Sequence, residues 1–162
     1  LLFILISMYH ELMSSILLLI AILIFAYMTF WFAVSIILKR NDVADLAWGL
    51  GFVMIAIALS ATHPSENHLN LISLLVSIWG IRLATHIYHR LKKTTEDRRY
   101  LAWRLDWGKY FLIRSYLQVY LLQGLFMFLI SLSIILSIIF FLIFFNYIIN
   151  NSFFSFTSSY RY

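Results

Sequence analysis

The sequence predicts an all-α membrane protein: a polytopic bundle of about four transmembrane helices, with one amphipathic helix lying at the membrane interface. Of its 162 residues, 63% are hydrophobic and 12% are charged, and a soluble domain of this composition could not cover itself with polar surface. Several apolar runs reach the length of about 20 residues that a helix needs to cross a bilayer. The net charge of +5 is clustered, which is typical of membrane topology and argues against a nucleic-acid partner.

The first half of the chain contains two predicted spans. The first runs from Ser14 to Leu38 without a charged side chain, and the second runs from about Leu46 to Thr62. Asp42 and Asp45 precede the second span, where a carboxylate can interact with the free N–H groups of a helix start. The chain contains no cysteine, which excludes disulfides, thiolate metal sites and a cysteine nucleophile.

Small residues are clustered in the second span. Ala47 and Gly51 are four residues apart, and Gly49 lies between them. Small side chains at this spacing allow the backbone of another helix to approach closely. We therefore expect this span to pack tightly against a neighbouring helix.

The second half of the chain contains two further spans. A polar loop, 63–68, holds the only proline and precedes a span from about Leu69 to His89. After a strongly charged segment, the apolar stretch from Ser115 to Phe145 is predicted to be the fourth span. We expect one membrane domain, residues 1–145, followed by an irregular tail at 146–162.

The basic residues predict the orientation of these spans. Segments 39–45 and 90–114 hold most of the Lys and Arg residues, and two spans separate them. They are therefore expected on the same side, whereas the loop between the second and third spans has no Lys or Arg. The positive-inside rule places segments 39–45 and 90–114 in the cytoplasm.

An arginine occurs inside the third span. If the span ended before Arg82, residues 69–81 would be too short to cross, so Arg82 is expected inside the membrane, where a charge costs about 2.5–3.5 kcal/mol. His86, His89 and Arg90 follow at helical spacing and are predicted to form a cationic stripe with it. The stripe suits a cofactor phosphate or an acidic side chain, although snorkelling of the arginines to lipid headgroups accounts for the same pattern. No carboxylate accompanies the two histidines, so no metal site is predicted.

The fourth span carries hydrogen-bonding side chains. Tyr116, Tyr120 and Gln123 recur at spacings of four and three residues. In a dry cavity, such groups can polarise a carbonyl or bind a hydroxyl. The alternative is an interfacial aromatic belt for the tyrosines, with Gln123 bonded to a neighbouring helix.

The charged segment between the last two spans is predicted to form the interfacial helix, from Glu96 to Arg114. Tyr100, Trp103, Trp107 and Tyr110 recur every three or four residues and make an aromatic face. This pattern fits a helix in the membrane plane. A surface helix without chemistry explains it fully.

Six short segments between residues 42 and 133 form a recognisable set. They are Asp42–Phe52, Trp79–Leu83, Glu96–Tyr100, Trp107–Phe111, Arg114–Val119 and Leu121–Gly124. Each piece alone is weak, but the tryptophans and arginines, in this order and spacing, make the set specific. Together the segments resemble the DUF1295 family of membrane proteins, which is similar to the steroid 5-alpha-reductase C-terminal domain.

The resemblance implies a helical membrane enzyme that uses NADPH to reduce a carbon–carbon double bond next to a carbonyl, on a steroid-like or other lipid substrate. In such chemistry, a hydrogen-bond donor polarises the carbonyl oxygen, and Tyr116, Tyr120 and Gln123 are the candidates for this catalytic role. Basic side chains would meet the cofactor phosphates. The candidates for cofactor binding are Arg82, His86, Arg90, Arg98 and Arg99.

Two other functions fit the same sequence. One is a membrane methyltransferase that uses S-adenosylmethionine, because the same broad superfamily includes isoprenylcysteine methyltransferases. The other is a non-catalytic membrane protein that packs with partners or lipids.

The resemblance also implies a longer protein. Relatives of this kind carry an Arg-His-Pro-like run near a tyrosine in a C-terminal cofactor-binding region. After Ser133 this sequence turns to Ile and Phe repeats and a tail rich in Asn, Ser and Phe. We therefore expect an incomplete copy that lacks the main cofactor-binding region.

Overall fold

The computed structural model describes residues 2–62 and 67–133, together with the isolated helical positions 136, 144 and 148. The chain divides into two compact units, Leu1–Phe128 and Leu129–Tyr162. All features discussed below lie in the first unit. Most of the predicted loop at 63–68, the end of the fourth span and nearly all of the tail lie outside the described residues.

The described residues form helices and short connections, without a strand. Four stretches are long and apolar enough to cross a membrane: Ser14–Leu38, Val43–Ala61, Leu69–Lys93 and Arg98–Ser133. The predicted all-α fold with four spans is therefore confirmed. The elements in chain order are α1 (Leu2–Leu38), α2 (Val43–Thr62), α3 (Asn67–Lys93), α4 (Arg98–Trp107), a 3₁₀ turn (Gly108–Tyr110), α5 (Phe111–Ser115), a π-helical segment (Tyr116–Leu121) and a further helical run over 122–133.

Helix α2 is the most buried span. Of its apolar stretch, 50% is buried inside the protein. The helix packs mainly against α3 and to a lesser extent against α1. The hydroxyl of Tyr27 in α1 donates to the carbonyl oxygen of Ala47 at 2.9 Å. α2 is thus the central helix of this unit, because its neighbours cover it on two sides.

Glycines allow α2 and α3 to approach closely. A Cβ atom on Gly49 would lie 2.9 Å from the carbonyl oxygen of Gly80, and one on Gly80 would lie 2.7 Å from the carbonyl oxygen of Gly49. Both distances are too short for a real Cβ contact. The predicted close packing of the second span is confirmed, and Gly80 of α3 is its partner.

The other helices expose apolar side chains. Ile37 of α1 is 77% exposed and Leu75 of α3 is 58% exposed, and similar side chains follow along both helices. A water-soluble protein rarely exposes so continuous an apolar surface. These faces are therefore suited to contact with lipid tails.

Helix α1 ends in a Schellman motif, a compact C-terminal turn. The N–H of Arg40 donates to the carbonyl oxygen of Ser35 at 3.1 Å, and the N–H of Lys39 donates to that of Ile36 at 3.3 Å. Lys39 has a φ of 53°, in the left-handed region where glycine is usual. The tight turn leads directly into α2, which begins at Val43, three residues before the predicted start.

The predicted interfacial helix is shorter than expected. The prediction of one helix from Glu96 to Arg114 is wrong, because Gly108, with a φ of 47°, ends α4. Its aromatic face is present in part: Trp103 and Trp107 are stacked with ring centroids 5.2 Å apart. Beyond Gly108, the ring of Phe111 contacts that of Trp107, with centroids 6.0 Å apart. Tyr110 is exposed instead, because the chain turns at Gly108.

Candidate functional site

The connection between α1 and α2 forms the centre of a buried polar network. The Arg40 guanidinium makes a bidentate pair with the Asp42 carboxylate, at 3.1 and 2.9 Å. Asp42 is only 1% exposed. Its carboxylate also accepts a hydrogen bond from the N–H of Asp97 at 3.0 Å, and Arg40 donates to the carbonyl oxygen of Leu91 at 2.8 Å.

This pairing joins the two basic segments of the sequence. Segments 39–45 and 90–114 lie in direct contact, so they occupy the same side of the bundle as predicted. Their cytoplasmic location stays a prediction. Hydrogen bonding to Asp42 raises the pKa of Arg40 above its usual value, as expected for a guanidinium paired with a buried carboxylate.

Asp42 does not cap its own helix, contrary to the simplest reading of its position. Its carboxylate is bonded to Arg40 and to the N–H of Asp97. The backbone carbonyls of Asn41 and Asp42 accept the first hydrogen bonds of α2, from Ala44 at 3.1 Å and Asp45 at 3.2 Å. The side chain is therefore available to hold the segment before α4.

Asn41 ties this network to the fourth span. Its N–H donates to Glu96 at 2.6 Å, and its side-chain Oδ1 accepts from the hydroxyl of Ser115 at 2.8 Å. Both oxygens of Glu96 lie 3.1 Å from Nη2 of Arg104. Asn41, Glu96 and Ser115 are all buried, so this side of the bundle has a satisfied polar core, apart from the Nδ2 of Asn41.

Asp45 collects three partners from α3 and α4. Arg90 contacts it at 2.9 Å, Tyr100 donates its hydroxyl at 2.9 Å, and Arg99 lies 3.6 Å away. The Arg99 side chain also donates to Asp97. The Asp97 carboxylate caps α4, because it accepts the backbone N–H of Arg99 at 3.0 Å. These bonds hold the pKa of Asp97 below its usual value, so its carboxylate stays ionised well into the acid range.

Two of the predicted cofactor-binding arginines thus lie against carboxylates. Arg90 and Arg99 meet at Asp45, whereas Arg98 is exposed on the surface of α4. Arg90 lies one helical turn beyond His86, but it pairs with Asp45 at 2.9 Å and does not line the groove described below. Of the four residues of the predicted stripe, Arg90 is therefore engaged in an ion pair.

The remaining part of the stripe lines an open groove. Arg82, His86 and His89 are exposed and border a groove of about 640 Å³ together with Trp79 and Thr85. This volume lies within the range of small-molecule and cofactor sites. The groove presents one guanidinium, two imidazoles and an aromatic ring on a single face of α3.

The predicted catalytic donors lie in the packed interior, away from this groove. The hydroxyl of Tyr116 lies 3.0 Å from that of Thr29 in α1. Tyr120 has 0% exposure, and its hydroxyl donates to the carbonyl oxygen of Asn41 at 3.3 Å. Gln123 is half-buried, and its Oε1 is buried without a partner among the described residues.

Sequence reasoning missed the buried network, although a signal for it was present. The chain has only 7 Asp and Glu residues against 12 Lys and Arg residues. Five of these acids lie within the two basic segments, and four of the five, at positions 42, 45, 96 and 97, are paired with basic residues. In a chain with so few carboxylates, such placement indicates pairing, because an unpaired buried charge is costly.

Among the residues that the structure describes, no group of three or more His, Cys, Asp or Glu side chains could hold a metal ion. No curated protein and no solved structure matches the chain. The family described as "Protein of unknown function (DUF1295)" matches residues 31–140. This range contains the segment 42–133 that carries the resemblance and extends it at both ends. The chain, with its paired basic segments and four spans, therefore belongs to the DUF1295 family of membrane proteins.

Proposed function

We propose that this chain is a membrane reductase that uses NADPH to reduce a carbon–carbon double bond conjugated to a carbonyl, on a steroid-like or other lipid substrate. The observation that carries this proposal is the groove on α3. Its charged and titratable lining groups are Arg82, His86 and His89, and these are donors suited to phosphate oxygens.

The charge of the groove favours NADPH over S-adenosylmethionine. NADPH is a polyanion with three phosphate groups, whereas S-adenosylmethionine carries a cationic sulfonium and no phosphate. Arg82 supplies a permanent positive charge, and Trp79 offers an aromatic face for a ring. The residues present therefore fit the dinucleotide, which would supply the hydride when bound.

The substrate carbonyl needs a donor from the chain itself. Of the two tyrosines, Tyr120 is fully buried and bonded to Asn41, whereas Tyr116 is half-buried, as is Gln123. Tyr116 is thus better placed than Tyr120 to exchange its bond with Thr29 for one to a substrate oxygen. Tyr116 does not line the groove. Cofactor binding and polarisation of the substrate carbonyl therefore need separate tests.

A non-catalytic role is the second candidate. The hydroxyls of Tyr116 and Tyr120 both bond within the protein, as they would in a protein that only packs its helices. In this case, replacing either tyrosine by phenylalanine would lower stability and nothing else.

We expect Arg82→Gln to weaken NADPH binding about tenfold or more, since a charge-assisted hydrogen bond contributes about 1.5–3 kcal/mol. The measurement is a titration of NADPH into the purified chain in nanodiscs, followed by cofactor fluorescence. Lys109→Gln, which removes one exposed positive charge outside the groove, is the matched control and should bind as the parent chain does.

The same titration separates the competing functions. Binding of S-adenosylmethionine without NADPH would exclude the reductase. Binding of neither would count against the groove as a cofactor site, and it is the result expected both of a non-catalytic protein and of a copy that lacks the main cofactor-binding region. If NADPH binds and Arg82→Gln binds it equally well, the groove is not the cofactor site. Oxidation of NADPH by an added lipid enone, lost in Tyr116→Phe at unchanged NADPH affinity, would support Tyr116 as the donor.

A further inference from the structure

A small cavity lies between the end of α1 and the start of α5. Its volume is about 80 Å³, which corresponds to two or three water molecules at about 30 Å³ each and is close to the size of a phosphate group. It shares no residue with the groove on α3. The lining residues are Phe32, Ser35, Ile36, Lys39, Asn41, Arg104, Phe111, Leu112 and Ser115.

Asn41 presents an unused donor beside this cavity. The residue is 2% exposed, and its Oδ1 and backbone N–H are bonded to Ser115 and Glu96. Its Nδ2 is buried and has no partner among the described residues. A buried amide donor without an acceptor is costly, so the position favours a ligand that accepts hydrogen bonds.

The charged residues that line the cavity are both cations. Lys39 and Arg104 line it, whereas the neighbouring Glu96 does not. Both Glu96 oxygens are held by Arg104 Nη2, and the described bonds of Arg104 all leave from this one nitrogen. Two cations and one amide donor around a cavity of this size are suited to an oxyanion.

Lys39 lines the cavity from an unusual backbone position. Its φ of 53° is unfavourable for a side chain with a Cβ atom, and glycine is the usual residue at this place in a Schellman motif. A basic side chain is favourable near the C-terminus of a helix, where it interacts with the last carbonyl groups. Lys39 is therefore the lining cation that glycine can replace without straining the backbone.

We propose that this cavity binds a phosphate group, held by Lys39, Arg104 and the Nδ2 of Asn41. The apolar rim favours an anionic phospholipid as its source: Ile36 is 46% exposed and Leu112 is 53% exposed. A lipid whose phosphate lies in the cavity can place its acyl chains along these two helices. Free phosphate offers the same chemistry without using the rim.

Lys39→Gly provides the sharpest test, because it removes the cation and relieves the backbone at once. Dioctanoyl phosphatidic acid is titrated into the purified full chain in neutral detergent, and the rise in unfolding temperature is recorded. We expect the parent chain to be stabilised at saturation. In Lys39→Gly, the lipid-free protein should unfold at a higher temperature, while the apparent affinity for the lipid falls about tenfold or more.

Lys109→Gln controls for general attraction between a basic protein and an anionic lipid. It removes the same charge from an exposed position and should leave the affinity unchanged. Lys39→Asn, which tolerates a positive φ, tests the charge without introducing glycine and should also lose affinity.

A second titration, with inorganic phosphate, identifies the source of the group. Stabilisation by the lipid alone, or by both ligands, that is lost in Lys39→Gly supports the proposal with a lipid as ligand. Stabilisation by inorganic phosphate alone, lost in the same variant, supports a free-phosphate site. The proposal is overturned if neither ligand stabilises the parent chain, if Lys39→Gly binds the ligand as tightly as the parent chain, or if Lys109→Gln loses affinity to the same extent as Lys39→Gly. NADPH is absent from every arm, so the result does not depend on the proposed reductase activity.

Discussion

At the scale of single residues, scarce carboxylates organise the basic side of this protein. Asp42 pairs with Arg40 at 2.9 Å, Asp45 with Arg90 at 2.9 Å, and Glu96 with Arg104 at 3.1 Å. A basic segment that looked available for ligands is therefore partly neutralised from within. Arg82 and Lys39 remain outside these carboxylate pairs, and the ligand proposals depend on them together with Arg104, whose bonds to Glu96 use only Nη2.

Asp42→Asn should lower the free energy of unfolding by about 3 kcal/mol, because removing one member of a buried ion pair leaves the other without its counter-charge. The half-exposed position of Arg40, with 26% of its side chain accessible, places the effect at the lower end of the usual range. The measurement is unfolding in mixed micelles by denaturant.

Asp106→Asn is the control for this substitution. Asp106 is exposed, so the same chemical change there should alter stability by less than about 0.5 kcal/mol. Equal effects at the two positions would show that the Arg40–Asp42 pair does not stabilise the fold.

At the scale of helices, the crossing of α2 and α3 is set by a pair of glycines. Each glycine occupies the place where a side chain of the other would have to fit, as the distances of 2.9 and 2.7 Å show. In a membrane, helix association depends on close packing, since lipid tails already satisfy apolar side chains. The crossing therefore holds the two most extensively packed helices together.

Gly80→Ala should destabilise the protein by about 1–3 kcal/mol, the usual cost of forcing extra volume into a packed interior. The added methyl group would meet the carbonyl oxygen of Gly49, a backbone atom that moves only with its helix. Ala26→Val adds volume at an exposed position of α1 and should be nearly neutral. The two variants are compared by their unfolding temperatures in the same detergent. An unchanged unfolding temperature in Gly80→Ala would mean that the contact between α2 and α3 can accommodate a methyl group.

At the scale of the whole molecule, the contact between the two basic segments fixes which ends of the spans lie together. α3 has 27 residues and is about 40 Å long at 1.5 Å per residue, so its two ends lie on opposite sides of a bilayer. The basic end, at Lys92, meets the α1–α2 connection through Arg40 and the carbonyl oxygen of Leu91.

The absence of cysteine allows a direct test of orientation. Asn67→Cys and Lys92→Cys place one thiol at each end of α3, both at exposed positions. In intact cells, a membrane-impermeant maleimide should label Asn67→Cys, and it should label Lys92→Cys only after permeabilisation. Labelling of Lys92→Cys first would reverse the orientation that the positive-inside rule predicts.

The amino-acid sequence alone predicts the fold class, the four spans and the close approach of the second span, from hydropathy, charge placement and small-residue spacing. It predicts the family from six short segments. All of these are local properties of the chain, so they need no knowledge of which residues meet in the fold. The sequence also contained a signal for the early end of α4, because Gly108 is a weak helix former.

The pairing of basic side chains with particular carboxylates becomes visible only in the folded protein. Arg90 and Arg99 meet Asp45 across intervals of 45 and 54 residues, and Tyr120 is bonded to Asn41, because the fold brings distant segments into contact. The cationic stripe expected on α3 therefore keeps Arg82, His86 and His89 but loses Arg90. Helical periodicity places a side chain on a face, whereas the identity of its partner depends on which other helix covers that face.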